Sequence, residues 1–583
     1  MRRYQWILAI VLAVAPGLAQ PSDAREGARN SSEAQFFPAS GERGMVSSQD
    51  ALASRVGAQI LASGGNAIDA AVATGFALAV TLPRAGNLGG GGFMIFHLAA
   101  TGKTIAIDYR EMAPSAASPE MFLTSDGDVD RTKILGSGLA SGVPGTVAGL
   151  VHVQRRYGRL PLIDVLSPAI ALARNGFKVP YALADSLEKS KKRLQADAGS
   201  AAYFYKPSGV VYVQGETLVQ TDLADTLSRI SKFGAEGFYQ GAVAEKIVAQ
   251  MARSGGVITR QDLKNYRVVE REPVCGNYRE HQVCSMPPPS SGGIHLVQML
   301  NILEGWNLRA LGHNSADYIH RLAASMQRAY ADRSQYLGDP DFVDVPQSRL
   351  TDKRYAESLR QQIDVKHAIA SAEVAPGLRE QRVESTETTH FSTWDAEGNA
   401  VSNTYTLNWA YGSGIAVIGA GFLLNNEMDD FAAKPGARNS YNLVGGEANA
   451  IAPAKRPLSS MTPTLVFDKK GLPLLATGSP GGSTIITVVL QVVLNFLDFN
   501  MNIAEATAAP RIHYQWIPDQ LYYEVGISKD TLHRLKNMGH NIGATPRRLG
   551  AANSIAAKPN GGTSGIADYR REDAAAVAES IRD

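Results

Sequence analysis

Hydrophobic and polar positions change their spacing several times along the chain. Asp50 to Ser63 carries a helical pattern that stops at Gly64-Gly65-Asn66, and Ala67 to Val80 is apolar nearly all round, which predicts a second, buried helix. After Gly89-Gly90-Gly91-Gly92 the pattern predicts strands over Phe93–Leu98 and Lys103–Arg110, with a turn near Thr101-Gly102. Residues 145–263 are mostly amphipathic at helical spacing, strands return near 266–286, and a Pro/Ser/Gly loop, Ser285 to Gly293, precedes a helix from about Ile294. Helices dominate 315–365. Pro463–Phe467 and Leu474–Thr477 predict strands, and Ser479-Pro480-Gly481-Gly482-Ser483 opens an apolar helix over about 484–497. Strands and helices interleaved with hairpins predict an α/β (α+β) layered sandwich and not a purely parallel sheet. No internal repeat is visible.

The most informative segment is Thr388-Thr389-His390-Phe391-Ser392. It follows a polar stretch, Ser371 to Glu387, with the composition of an exposed loop, and it alternates like a strand. Ala396-Glu397-Gly398 then reads as a three-residue hairpin loop with glycine at the left-handed position. Centring the hairpin on Glu397 sets Thr388 opposite Thr406 and puts Thr404, Thr406 and Asn408 on one face; a one-residue slip turns them away. Cutting Glu387–Thr388 would free a threonine whose own amine can act as base for its hydroxyl. A Thr-rich strand edge, in a hairpin with one solvated face, is the alternative.

Composition narrows the classes. With 583 residues, 44% hydrophobic and 19% charged, the chain can bury a large core. A net charge of +2 gives no reason to expect nucleic acid or strong membrane attraction. Arg2 and Arg3, the apolar run Trp6 to Ala15, and Pro16-Gly17-Leu18-Ala19 form a signal segment, residues 1–19, too short for the ~20 residues of a membrane span. An uncleaved anchor is the alternative. Residues 20–44 read as a loose, polar leader. An exported chain permits a disulfide, and Cys275 and Cys284 flank a turn-like centre, which reads as one bridge across a hairpin; two free buried thiols are the other reading. No Cys-x-x-Cys or His-Glu-x-x-His pattern exists, so no metal is expected, and no cofactor either. The Gly136-x-Gly138 start lacks the third glycine of a dinucleotide fingerprint, and no Gly-x-Ser-x-Gly elbow occurs.

Several groups suit one chemistry. Gly481 and Gly482, just before a helix, can aim N–H groups at an oxyanion. Arg110 at a strand end can grip a carboxylate, with a surface salt bridge as the alternative, and the hydroxyls of Ser459 and Ser460 can hold one too, with a solvated turn as the alternative. Glu427, Asp429 and Asp430 suit a substrate ammonium, with a calcium loop or a solvated turn as alternatives. Together these describe cleavage of an amide on the side chain of a zwitterionic amino acid.

From about Gly44 to its end the chain resembles the γ-glutamyltransferase (γ-glutamyltranspeptidase, glutathione hydrolase) family. The motifs that carry the likeness are Gly64 to Ala71, Gly86 to Gly92, Arg110-Glu111-Met112-Ala113-Pro114, Pro287 to Gly293, Thr388-Thr389-His390, Asn425 to Asp430, Pro457 to Met461 and Gly478 to Gly482. The resemblance implies a four-layer αββα N-terminal-nucleophile (Ntn) hydrolase fold. It also implies a precursor that cleaves itself into a large subunit, residues 45–387, and a small catalytic subunit, residues 388–583, which stay together as a heterodimer. Carried over by residue, Thr388 is the nucleophile and Thr406 its hydrogen-bonding hydroxyl. Asn408, Glu427 and Asp430 contact the donor α-amine, and Arg110, Ser459 and Ser460 its α-carboxylate. Gly481 and Gly482 form the oxyanion hole, and Tyr441 matches the lid-loop aromatic of lidded bacterial members. Trp409-Ala410 stands where relatives often carry small polar residues, and the Cys275–Cys284 pair is not a general family feature. The implied activity is transfer of a γ-glutamyl group, by way of an ester on Thr388, from glutathione or another γ-glutamyl compound to water or to an amino-acid or dipeptide acceptor. The implied location is periplasmic or secreted, with no membrane attachment after signal removal. A glutaryl or cephalosporin-type acylase on the same fold is the alternative.

Overall fold

The computed structural model describes residues 36–374, 387–434 and 446–579. Two seven-stranded antiparallel sheets stack face to face. The first runs, edge to edge, Ala575–Ala578, Met45–Ser48, Thr389–Trp394, Ala400–Thr406, Gly91–Leu98, Lys103–Tyr109 and Val269–Arg271. The second runs Ala39–Gly41, Thr563–Ala567, Asn553–Ala557, Pro473–Thr477, Thr464–Phe467, His281–Ser285 and Val274–Tyr278. Helices Ala51–Ala62 and Ala67–Thr81 cover the outer face of the first sheet, and Gly292–Leu303 and Thr484–Leu497 that of the second. The layers are therefore α, β, β, α.

Helix Ala67–Thr81 explains why the first sheet is buried on both faces. Every residue of it is buried, and its small side chains let it lie close on the central strands. Its start is fixed by a reciprocal capping box between Asn66 and Asp69. The hairpin beneath it has the register that centring on Glu397 predicts: Thr389 pairs with Tyr405 and Trp394 with Ala400, with Gly398 at φ +89° in the loop. Asp395 pins this turn. One carboxylate oxygen accepts from the Glu397 and Asn399 N–H groups, both at 3.0 Å, and the other from Asn399 Nδ2 at 2.7 Å and from Ala67 N, the first helical residue, at 2.9 Å. One side chain thus ties hairpin register to helix position.

The hairpin does not have a solvated face. On the face towards the second sheet, Ser392 Oγ donates to Asn553 O at 3.0 Å, Ser402 Oγ donates to Thr477 O at 2.8 Å, and Asn553 Nδ2 donates to His390 O at 2.8 Å. Burial pushes the His390 imidazole down to about 3, so it sits neutral beside Thr404 Oγ1 at 2.9 Å.

The stretch expected as a loose leader, 20–44, contains a strand among its described residues. Ala39–Gly41 is an edge strand paired with Gly565, Ser564 and Thr563. Ala-Ser-Gly carries no hydrophobic alternation; its backbone ladder and one side-chain bond, Lys558 Nζ donating to Ser40 Oγ at 3.0 Å, hold it. Cys275 and Cys284 lie directly opposite each other in the hairpin Val274–Tyr278/His281–Ser285 and are disulfide-bonded, with Cα atoms 4.1 Å apart. Among the described residues no helix is long and apolar enough to cross a membrane.

Asp395→Ala removes every acceptor in this pin. Hydrogen bonds to a charged group contribute about 1.5–3 kcal/mol. The thermal midpoint of the purified protein should fall by at least about 2 °C; a midpoint unmoved by the substitution would show that the loop holds register without Asp395.

Candidate active site

Thr388 is buried at the head of strand Thr389–Trp394, and a pocket opens beside it. The pairing register brings Thr406 opposite, with Thr388 Oγ1 donating to Thr406 Oγ1 at 3.3 Å. Thr406 Oγ1 in turn donates to the Glu387 carbonyl at 3.3 Å and accepts from Asn408 N at 2.8 Å. A hydroxyl has one proton and two lone pairs, so these contacts use all of its capacity. Asn408 has φ +74°, a left-handed conformation that asparagine tolerates, and it turns the chain out of the sheet as the strand ends.

The acid turn is a short 3-10 helix, Glu427–Asp430. Asparagines lash it in place: Asn425 Nδ2 donates to Gly89 O and Gly142 O, both at 2.8 Å, and Asn426 O accepts from Asn408 Nδ2 at 2.9 Å. Arg110 follows strand Lys103–Tyr109 and is fully buried. Its guanidinium donates to Glu427, to Asp430 and, through Nε at 3.2 Å, to Pro457 O. Glu111, also fully buried, has its Oε2 3.6 Å from Arg110 Nη1. The groups expected to hold a carboxylate and an ammonium are therefore paired with each other, and a zwitterion entering here must share them. Burial alone would depress the Arg110 pKa, but Glu427, Asp430 and Glu111 outweigh it and push it up. Burial pushes Glu427 well above the usual carboxylate range and Glu111 up to about 7, against the pull of Arg110 in both cases.

The far wall is Ser459 and Ser460, held over the loop before helix Gly292–Leu303. Ser291 N and Ser291 Oγ both donate to Ser459 O at 2.8 Å. Gly481 and Gly482 lead into helix Thr484–Leu497 at φ +133° and +54°. Gly482 lines the pocket, while Gly481 lies one residue back, where a Cβ would meet Thr484 Oγ1 at 2.3 Å. Neither glycine N–H donates a hydrogen bond to the protein among the described residues.

Thr388, Thr406, Asn408, Glu427, Asp430, Arg110, Ser459, Ser460 and Gly482 thus surround one pocket, with Asp429 turned away towards Arg131. Tyr441 lies outside the described residues. Arg333 also lines the pocket and had escaped the sequence reading. Its signal was there: it continues the i, i+3, i+4, i+7 stripe Met326, Ala329, Tyr330 of a long helix, a charge on an otherwise apolar face.

A threonine heading a central strand of an αββα sandwich defines the Ntn-hydrolase class of fold, and the chain has that fold. The gamma-glutamyltranspeptidase family model matches residues 53–578, and the chain belongs to that family. The glutathione hydrolase proenzyme of Escherichia coli (strain K12) is 52% identical over 539 residues, covering 92% of each chain. The crystal structure of cephalosporin acylase from Bacillus halodurans superposes with a TM-score of 0.82 at 27% identity, over 94% of this chain and 97% of that one. That of Helicobacter pylori gamma-glutamyltranspeptidase matches with a TM-score of 0.55 at 47% identity, over 56% of this chain and 93% of that chain.

The raised Glu111 pKa gives a signed pH dependence. A carboxyl whose folded pKa lies above its unfolded value contributes stability in full below the unfolded value, and loses it as pH rises through the folded one. For Glu111 that window runs from 4.5 to about 7. Glu111→Gln should leave the thermal midpoint nearly unchanged at pH 4.5 and raise it at pH 8, by on the order of 1–3 kcal/mol of stability. An equal effect at both pH values would dismiss the buried-charge explanation.

Proposed function

We propose that Thr388, freed by self-cleavage of Glu387–Thr388, is the nucleophile of a γ-glutamyl transferase and glutathione hydrolase. The observation that carries this reading is the composition of one small pocket. It sets a threonine hydroxyl between a basic, hydroxyl-rich wall (Arg110, Ser459, Ser460) and an acidic, amide-bearing one (Asn408, Glu427, Asp430). That pairing suits the α-carboxylate and α-ammonium of a γ-glutamyl group.

In the maturation step, Thr388 Oγ attacks the Glu387 carbonyl carbon, which Thr406 polarises by its hydrogen bond. The C–N bond breaks, the hydroxyl proton passes to the departing nitrogen, and water hydrolyses the resulting ester. This leaves a large chain ending at Glu387 and a small one starting with the Thr388 amine. The Helicobacter pylori chain, 93% covered by only 56% of this one, agrees in size with a large subunit standing alone.

In turnover, the Thr388 amine, with an ordinary pKa of about 7.7–8, takes the hydroxyl proton. Oγ adds to the γ-carbonyl, and the oxyanion lies against the N–H groups of Gly481 and Gly482. The amine of Cys-Gly, or of another leaving group, departs with the proton, leaving a γ-glutamyl ester on Thr388. Water or the amine of an amino acid or dipeptide then takes the acyl group by the reverse sequence. The signal segment at residues 1–19 and the Cys275–Cys284 disulfide support a periplasmic or secreted location.

The second reading is a glutaryl or cephalosporin-type acylase, and the similar shape of a cephalosporin acylase supports it. A glutaryl group has no α-ammonium, so Glu427 and Asp430 would gain no substrate partner beside Arg110. Turnover of γ-glutamyl-p-nitroanilide against glutaryl-p-nitroanilide separates the two, and a preference for the glutaryl compound would favour the acylase.

Thr388→Ala should yield one uncleaved chain by intact mass and no γ-glutamyl-anilide turnover; a mutant that still splits at this bond in a protease-free preparation refutes self-cleavage. Gly482→Ala, in material that has matured, should lower kcat about 10²–10³-fold, the usual cost of one oxyanion donor. Unchanged kcat would make these glycines structural.

A further inference from the structure

Arg333 is a buried cation with no ion pair among the described residues. It is 4% exposed and lies on helix Ala316–Tyr336, one turn beyond Tyr330, whose hydroxyl donates to Ser483 O in the loop that follows Gly481 and Gly482. Its guanidinium donates to two serine hydroxyls of the pocket wall. Nε donates to Ser291 Oγ at 3.0 Å, and Nη2 donates to Ser460 Oγ at 3.2 Å. Ser291 Oγ passes its own proton on to Ser459 O at 2.8 Å. Receiving a hydrogen bond from Arg333 leaves the Ser460 hydroxyl proton free to be donated into the pocket.

Arg110 already shares its charge with Glu427, Asp430 and Glu111. Arg333 makes no ion pair among the described residues: burial, and to a lesser degree Arg110, lower its pKa to about 10, with Tyr330 and Asp430 acting the other way, so it stays protonated at neutral pH at a cost. An anion arriving beside it relieves that cost.

We infer that Arg333 is a specificity-determining residue for the donor α-carboxylate, supplying the uncompensated charge and fixing Ser460 as a hydrogen-bond donor towards it. This rests on the γ-glutamyl reading of the same pocket. A residue needed only for packing would affect all ligands alike, whereas this role discriminates by one functional group.

The test compares L-glutamate with 4-aminobutyrate, the same chain without the α-carboxylate, as competitive inhibitors of γ-glutamyl-p-nitroanilide hydrolysis. Arg333→Gln and Arg333→Lys are measured on material shown by intact mass to have matured. Arg333→Gln should raise the glutamate inhibition constant and the anilide KM about 10–100-fold, in line with loss of one charge-assisted interaction, with kcat nearly unchanged. The 4-aminobutyrate constant should stay within about 3-fold, and Arg333→Lys should recover part of the loss. Parallel changes for both inhibitors, no change for either, or a wild type that does not prefer glutamate would each overturn the inference. Should both variants stay uncleaved, Ser291→Ala, which unclamps Nε while keeping the charge, must show the same selective weakening towards glutamate. A wild type that does not hydrolyse the anilide at all would instead sink the γ-glutamyl reading.

Discussion

The register of one hairpin governs the whole site. Strand side chains alternate faces, so a slip of one residue between Thr389–Trp394 and Ala400–Thr406 would send Thr406 and Thr388 to opposite sides of the sheet. The fold guards against the slip at both ends. Asp395 locks the loop to the first turn of helix Ala67–Thr81, and Asn553, reaching across from the other sheet, donates to His390 O. Between these anchors the serines of the seam are paired across it, Ser392 with Asn553 O and Ser402 with Thr477 O; buried polar groups are costly where a partner is missing. A polar seam gives what an apolar one would not: each hydrogen bond exists in one register only.

The second constraint is buried charge. Arg110, Glu111 and Glu427 are all buried, and such groups survive only by neutralising one another or sharing a proton. This cluster sits where elements distant in sequence converge: a strand end at Arg110, the short turn Glu427–Asp430, and the backbone of Pro457. Helix Ala316–Tyr336 braces the opposite side, with Tyr330 on the Ser483 carbonyl and Arg333 on the serines. One rigid helix therefore sets the distance between the glycine loop and the serine wall.

Much of this was legible in the chain, and the reasons differ by element. The helices at Ala67 and Thr484, the strands at Gly91 and Pro473, and the hairpin about Glu397 follow from local periodicity and turn chemistry. Thr388, Thr406 and Asn408 could be placed on one face because they belong to a single hairpin. Arg110, the acid turn and the serine wall come from separate segments; no local pattern joins them, and the family resemblance supplied the link that the fold then realised in space. The edge strand Ala39–Gly41 was illegible because its side chains carry no pattern, and its pairing with Thr563–Gly565 is made by backbone alone. Arg333 was missed because a charge within a long helix reads as solvated until its partners are seen.

The Thr406 hydroxyl links the two lives proposed for the site. In the continuous chain its single proton goes to the Glu387 carbonyl, and its lone pairs take the Asn408 N–H and the Thr388 hydroxyl. That arrangement polarises a peptide carbonyl beside its own attacker and asks nothing of the Thr388 amine, which is still an amide. Once Glu387 departs, as proposed, the proton of Thr406 loses its acceptor, and the nearest oxygen is Thr388 Oγ. The bond can then reverse direction, from accepting the nucleophile's proton to donating towards its oxygen. In that state the proton of Thr388 has to go elsewhere, and the newly freed amine is the base within reach. A single hydroxyl of fixed position would thus serve peptide cleavage first and acyl transfer afterwards, with only the direction of one hydrogen bond changed. Asn408 holds it still in both, since the backbone N–H of a residue locked at φ +74° cannot follow the switch.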